Sequence, residues 1–233
     1  MKKKYYWAVA FCSLLFGILL LLHACGKMDD TYRQFIEDGE TIYIAKADSL
    51  KVRPGRNRVE LSWFLLSDPK IRAYKVYYNN RQDSIFTQFR KMHEIDTVRL
   101  IINELSEGTH YFEIFTFDGL GNSSVKADIS GRAYGSMYQK GLLNATITKS
   151  FFVQNDLKVI WNKNQPEGLV NVDLEYTNRL GEMIMKRLTS LHGDTCVLRE
   201  FPVDGTFRFR SGFIPDTLAI DTFYTDFQRV QIR

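Results

Sequence analysis

Apolar residues recur at every second position along most of the chain, in short runs, and not at the 3.6-residue period of an amphipathic helix. In "VELSWFL" this puts Val59, Leu61 and Trp63 on one side of a strand, and "LKVIWNK" does the same for Leu157, Val159 and Trp161. Gly, Asn, Asp and Pro punctuate the runs, as in "RPGRN", "SDPK", "YNNRQDS" and "DGLGNSS", so strands joined by tight turns are predicted. The pattern also repeats. Trp63 and Trp161 are 98 residues apart, as are Tyr78 of "YKVYYNN" and Tyr176 of "VDLEYTN", and Asp96 and Asp194. "EGTHYFEIF" from Glu107 aligns with "DGTFRFRSGF" from Asp204 at a spacing of 97. Four anchors at nearly one spacing predict a tandem of two similar domains, at 41–133 and 134–233. Several short strands in each half make the expected class all-β, each half a β-sandwich that buries one face of each sheet.

With Trp63 on an early strand, "AYKVYY" on the next, and "INELSEGTHYFEIFTFDGLGNSS" running from a corner into a strand and a hairpin, the first repeat resembles a fibronectin type III domain. The other repeat resembles a more divergent copy of the same domain. An immunoglobulin domain would place its tryptophan one strand later, beside a disulfide, and the sequence offers neither.

A fibronectin-like corner implies a tyrosine six residues after Leu105, at Tyr111, with Glu113, Phe115 and Phe117 also inward. That phase buries an unpaired carboxylate, at a cost on the order of several kcal/mol. The second repeat argues for the opposite phase, because "TFRFRS" turns Phe207 and Phe209 inward and Arg208 and Arg210 outward. Transferred to the first repeat, it makes His110, Phe112, Ile114 and Thr116 the core face. Tyr111, Phe115 and Phe117 then face solvent, and so does Tyr77, because Tyr74, Val76 and Tyr78 hold the core phase. Tyr77, Phe115 and Phe117 form a candidate surface for a ligand or partner. Cover by the linker, the second domain or a loop is the alternative. Trp63 and Trp161, in phase with their apolar neighbours, are expected in the cores.

The junction "SGRAYGSMYQKGLLNATI", residues 130–147, is too apolar for a flexible spacer. Tyr134 and Tyr138 are expected to pack between the domains, at a concave place where a sugar ring could also stack. Near the C-terminus "AIDTFYTDF" carries Phe223, Tyr224 and Phe227, and alternation makes Tyr224 a further candidate.

The N-terminus has a different pattern. Lys2, Lys3 and Lys4 precede an uncharged run from Tyr5 to Ala24, long enough to span a bilayer and equally the pattern of a signal peptide. "LHAC" resembles a bacterial lipobox, which implies a signal peptide at 1–24, lipidation of Cys25, and a linker over 25–40. An uncleaved helical anchor is the alternative. Either fate puts the body outside the cytoplasm. Lys27, Asp29 and Asp30 resemble the surface-export signal of Bacteroidetes lipoproteins, and a solvated linker is the plainer reading.

The chain has 31 basic and 27 acidic residues; without Lys2, Lys3 and Lys4 the counts are 28 and 27, a balance that gives no reason to expect nucleic acid as a partner. Cys12 goes with the leader and Cys25 with the lipid, so Cys196 has no cysteine left to pair with and is expected as a small buried hydrophobe.

Catalytic motifs are missing: the sequence has no HExxH, GxSxG, P-loop, CxxC or dinucleotide fingerprint. His93, His110 and His192 are isolated from one another. No enzyme activity, cofactor or metal is expected; "DGLGN", faintly like a calcium loop, sits where a hairpin turn is needed. Ser49, Ser84, Thr97 and Thr217 each follow an aspartate in a short pattern that resembles the Bacteroidetes O-glycosylation motif.

The stretch "YRQFIEDGETIYIAKADSLKVRPGRNRVELSW", with "DPKIRAYKVYYNN", "GNSS" and "YG" after it, resembles an uncharacterised family of Bacteroidetes outer-membrane lipoproteins. Members of that family tend to accompany polysaccharide-uptake systems. The resemblance implies a lipid-anchored protein of the outer membrane facing the cell exterior. Its expected partners are the membrane, through the lipid, and either a polysaccharide or a protein of the uptake complex.

Overall fold

The computed structural model describes residues 43–66, 68–189 and 195–232. The leader, Cys25, Lys27, Asp29, Asp30, His192 and Asp194 lie outside them. Among the described residues no helix is long and apolar enough to cross a membrane.

The first half contains β1 (Asp48–Pro54), β2 (Val59–Leu65), β3 (Ala73–Tyr78), β4 (Asp83–Gln88), β5 (Asp96–Ile102), β6 (Gly108–Phe117) and β7 (Ala127–Ala133). They form a three-stranded sheet, β1-β2-β5, and a four-stranded sheet, β4-β3-β6-β7. This is the strand order of a fibronectin type III sandwich. After a short helix, α1 (Ser136–Lys140), come β8 (Ile147–Val153), β9 (Asp156–Trp161), β10 (Leu169–Thr177), β11 (Met183–Leu188), β12 (Thr195–Leu198), β13 (Thr206–Phe213), β14 (Phe223–Tyr224) and β15 (Gln228–Gln231). The order repeats: β12-β9-β8 in one sheet, and β11-β10-β13 in the other, with β14 and β15 both pairing the far edge of β13. The last strand of the second sandwich is therefore in two pieces, joined to β13 at Gly212–Phe213 and at Thr206–Phe209. The fold is all-β.

Each sandwich encloses its own core, as the alternation requires. The first draws on Val59, Leu61, Trp63, Tyr74, Val76, Phe112 and Ile114. The second draws on Leu157, Val159, Trp161, Val172, Leu174, Tyr176, Phe207 and Phe209, with Cys196 buried among them. The two tryptophans are used alike. Trp63 meets Tyr74 and Trp161 meets Phe209 edge to face, each at 5.1 Å between ring centroids, the geometry aromatic quadrupoles favour. Among the described residues their indole nitrogens are the two buried side-chain polar atoms with no hydrogen-bond partner.

Strand β6 takes the phase predicted by the second repeat. His110, Phe112, Ile114 and Thr116 are buried, and Tyr111 is 70% exposed. The corner tyrosine of related sandwiches bonds back to the backbone just upstream. Here that position points outward, and His110 Nε2 bonds the Ser106 carbonyl at 2.8 Å instead. Gly131 of β7 is also fixed by packing, because a Cβ there would stand 2.2 Å from Val52 of β1.

The two halves meet through specific bonds. Arg58 donates two hydrogen bonds to the Asp221 carboxylate, at 2.9 and 2.6 Å. Asp221 also accepts the Arg56 amide at 2.7 Å, and the Ile220 amide donates to the Pro54 carbonyl at 2.8 Å. The Arg58 guanidinium, assisted by the Arg56 amide, holds the Asp221 carboxyl below the usual carboxylate range. A Cβ on Gly55 would lie 2.6 Å from that carboxylate and 2.8 Å from Ile220, so the approach needs glycine. Helix α1 has no capping side chain of its own. Glu107 supplies one from the first sandwich, accepting the amides of Met137 and Tyr138 at 2.7 Å each.

Candidate functional site

The sequence candidates fall in three separate places. Tyr77, Phe115 and Phe117 share the outer face of β4-β3-β6-β7. Cross-strand register decides this: Lys75 stands opposite Phe115 and Phe86, Tyr77 opposite Glu113, and Ala73 opposite Phe117. The Tyr77 and Phe115 rings meet edge to face at 5.9 Å. Their faces are not bare. Lys75 Nζ lies 4.5 Å from the Tyr77 centroid, and the Arg81 guanidinium lies 5.5 Å from Tyr77 and 5.7 Å from Phe115, within cation–π range.

Arg81 is set there by the turn before β4, where Asn79, Asn80 and Arg81 all adopt left-handed backbone angles. Among residues other than glycine, asparagine is one of those that tolerate this conformation best, and its amide can brace the turn; Asn79 Nδ2 donates to Asp83 at 2.7 Å. From the turn Arg81 reaches Glu113, its Nε 2.6 Å from Oε2, and Lys126 approaches the same carboxylate at 3.7 Å. The carboxylate that made the opposite phase costly therefore sits outside, between two cations.

The other end of the stripe is open. Phe117 packs on Phe86 at 6.2 Å, and Phe86 is 57% exposed. Beside it is a hollow of about 950 Å³, whose lining includes Arg72, Phe86, Gln88, Lys91, His93 and Asp118. One wall, the loop after β4, is fixed by Asp96, which accepts His93 Nδ1 at 2.9 Å and the amides of Met92 and His93 at 3.1 and 3.2 Å. Lys91 Nζ donates to the carbonyls of Leu65 and Glu94 at 3.0 and 2.9 Å. The His93 bond, against the opposing push of burial and with help from the two amides and Lys91, holds the Asp96 carboxyl at about 2.

Tyr134 and Tyr138 lie at the junction. Their rings are 4.8 Å apart and both pack on buried Phe223, at 6.2 and 5.1 Å, with Arg56 over the Phe223 face at 4.5 Å. They are mortar between the sandwiches, although Tyr138 also lines a hollow of about 620 Å³ with Leu169, Val170, Ile214 and Pro215.

Tyr224 occupies the third place, the outer face of β11-β10-β13. Arg210 lies 4.3 Å above its ring and 5.1 Å from that of Phe227, and Arg208 lies 4.7 Å from Phe227. Arg187 and Arg210 both bond Asp173, at 2.7 and 3.2 Å, and Arg208 pairs with Glu175. Arg187, first, and then Arg210 hold the Asp173 carboxyl below its usual range.

Phe86 and Arg81 were not among the sequence candidates. Phe86 had a signal: in "DSIFTQ" Ile85 packs on the core, which turns Ser84, Phe86 and Gln88 outward. Asp118 uses its carboxylate to accept the Leu120 and Asn122 amides at 2.8 and 2.9 Å, which is turn chemistry. Among the described residues no three His, Cys, Asp or Glu side chains gather as a metal site. Burial pushes the Cys196 thiol up, so it stays protonated and unreactive. Ser49, Ser84, Thr97 and Thr217 are all exposed.

No curated protein matches the chain. Among solved structures, a two fibronectin type-III domain segment from chicken tenascin is 11% identical, covers 81% of this chain and 99% of its own, and superposes with a TM-score of 0.32. The FN1–FN3 domains of chicken CNTN1 are 10% identical and cover 84% of this chain and 69% of their own, with a TM-score of 0.40. Residues 25–223 match DUF4998, a domain of unknown function, and the chain belongs to that family.

Proposed function

We propose that the protein is a non-catalytic, lipid-anchored module of the outer membrane, facing the cell exterior, that binds glycan as an accessory to a polysaccharide-uptake system. The observation that carries the binding reading is the open end of the first sandwich's aromatic stripe. There Phe86, over half exposed and backed by Phe117, stands at the rim of a hollow of about 950 Å³ with amide, guanidinium and imidazole groups around it. An apolar ring beside convergent polar groups, in a hollow of roughly 300–1,000 Å³, is the usual form of a small-ligand site. The anchor reading rests on "LHAC", and the family match starts at Cys25, the residue a lipobox would make the first of the mature chain.

The test is affinity electrophoresis of the full chain in mild detergent, through gels cast with plant, host and microbial polysaccharides. Retardation by at least one glycan, lost in Phe86→Ala with Phe117→Ala, is the expected result. Free migration through every gel rejects glycan binding.

A second reading, an assembly lipoprotein that docks a protein of the uptake complex, is favoured by the capped rings at the other end of the stripe. Lys75 and Arg81 cover the faces that a sugar would use on Tyr77 and Phe115. A mixed aromatic and arginine surface is the composition of protein interfaces. Under this reading Tyr77→Ala with Phe115→Ala removes a pull-down partner from outer membranes and leaves glycan retardation unchanged.

A further inference from the structure

The outer face of the second sandwich differs from an ordinary solvated sheet. Its register lines up side chains in rows: Arg187, Asp173 and Arg210 in one, and Met185, Glu175, Arg208 and Arg229 in the next. Four arginines share this face with two carboxylates. Arg229 is exposed and has no ion-pair partner among the described residues. Neighbouring strands are about 4.8 Å apart, and alternate residues on one strand about 6.8 Å, so the guanidinium stems form a lattice at that scale.

Two of these arginines, Arg208 and Arg210, are also held in place. Arg210 lies against Tyr224 and Phe227, and Arg208 against Phe227. Arg210 uses Nε and one terminal nitrogen on Asp173, and Arg208 uses Nε on Glu175. A guanidinium has five N–H donors in a planar fork. The remaining donors on these two are oriented before any ligand arrives, which lowers the entropy cost of binding. A hollow of about 430 Å³, lined by Met185, Arg187, Arg210 and Phe227 among others, lies on the same face.

We infer that this face binds an acidic polysaccharide, one with a carboxylate or sulfate on its sugar residues. Excess positive charge in preset forks fits the anionic groups. The interleaved Asp173 and Glu175 select against a plain polyanion, because they repel it, whereas they accept hydrogen bonds from sugar hydroxyls. An acidic sugar supplies an anionic group and ring hydroxyls on the same residue, a pairing that polyglutamate, which has no hydroxyls, lacks. The inference rests on the glycan-binding reading and gives it a second site and a ligand class.

The full chain in mild detergent is passed over immobilised polygalacturonate, over the same polymer fully methyl-esterified, and over polyglutamate, at rising salt. The expected result is retention on polygalacturonate alone, weakening as salt rises, and a loss of at least about five-fold in affinity for Arg229→Glu. That variant changes an exposed side chain, so its fold should be intact by circular dichroism; Arg208→Gln with Arg210→Gln should lose more. Equal retention on the esterified polymer, equal retention on polyglutamate, or unchanged affinity in Arg229→Glu overturns the inference. The two readings fail separately. If a neutral glycan retards the protein through Phe86 while polygalacturonate does not, only the acidic site is lost. If no glycan is held, both are.

Discussion

The outer faces of the two large sheets are built on one plan and have diverged in what they present. On each, cations stand over aromatic rings and carboxylates are clamped between cations. The first has Tyr77 and Phe115 beside one clamped carboxylate, Glu113, and Phe117 and Phe86 at its other end, beside an open hollow. The second has arginines as the main groups, with Tyr224 and Phe227 as their supports. Beneath both faces the cores keep one plan, each with an edge-on tryptophan, although Trp63 meets Tyr74 of β3 and Trp161 meets Phe209 of β13. The buried set keeps the fold, and the outward set presents mainly aromatic rings in one half and mainly guanidiniums in the other.

The largest expected effect tests whether the two cores are separate. Trp63→Ala or Trp161→Ala removes a side chain that is 1% exposed and should cost about 3–5 kcal/mol. Hydrogen exchange should rise mainly in β1–β7 for the first and mainly in β8–β15 for the second. Equal rises in both halves for either variant would mean one shared cooperative unit. Next is the join. Asp221→Ala removes three hydrogen bonds between the halves and should cost about 2 kcal/mol. Gly55→Ala should loosen the same contact through the clash of its Cβ. Small-angle scattering should show a broader distribution of shapes for both variants, and unchanged profiles would place the rigidity elsewhere.

A smaller effect distinguishes the corners. His110 bonds the Ser106 carbonyl where the second repeat has Phe207, so His110→Phe should cost about 1 kcal/mol by denaturant unfolding. A stabilised variant would show that the bond contributes nothing. Acid should also act on the first half through Asp96. Its native value of about 2 lies below the ordinary 3.8, so the ionised form stabilises the folded state. That contribution is complete above pH about 4 and is lost as pH falls toward about 2. Asp96→Asn should flatten the acid limb of the stability curve in this window, and an unchanged slope would exclude it.

Much of this could be read from alternation. Strand β6 was ambiguous alone, and its phase followed from Arg208 and Arg210 in the aligned strand, since guanidiniums do not go into a core unpaired. The outward position of Phe115 and Phe117 came from the same step, and that of Tyr77 from the core phase of Tyr74, Val76 and Tyr78. Alternation gives the side of a strand and not its company. It could not show that Arg81 would fold back over two rings, because that depends on three left-handed residues in a turn. Nor could it show that Tyr134 and Tyr138 would close on Phe223, some 85 residues later in the chain than Tyr138. Phe86 was overlooked because the turn-rich run before it hid a short strand. The split of the last strand into β14 and β15 left too little alternation to detect.

Hydroxyl-radical footprinting of the full chain, with and without a neutral polysaccharide that retards it, is the most direct test of the site on the first sandwich. Protection of Phe86 and Phe117, with Tyr134 and Tyr138 unchanged, is the expected result. Protection confined to the junction tyrosines, with Phe86 as reactive as in the free protein, would contradict a binding site on the first sandwich's outer face.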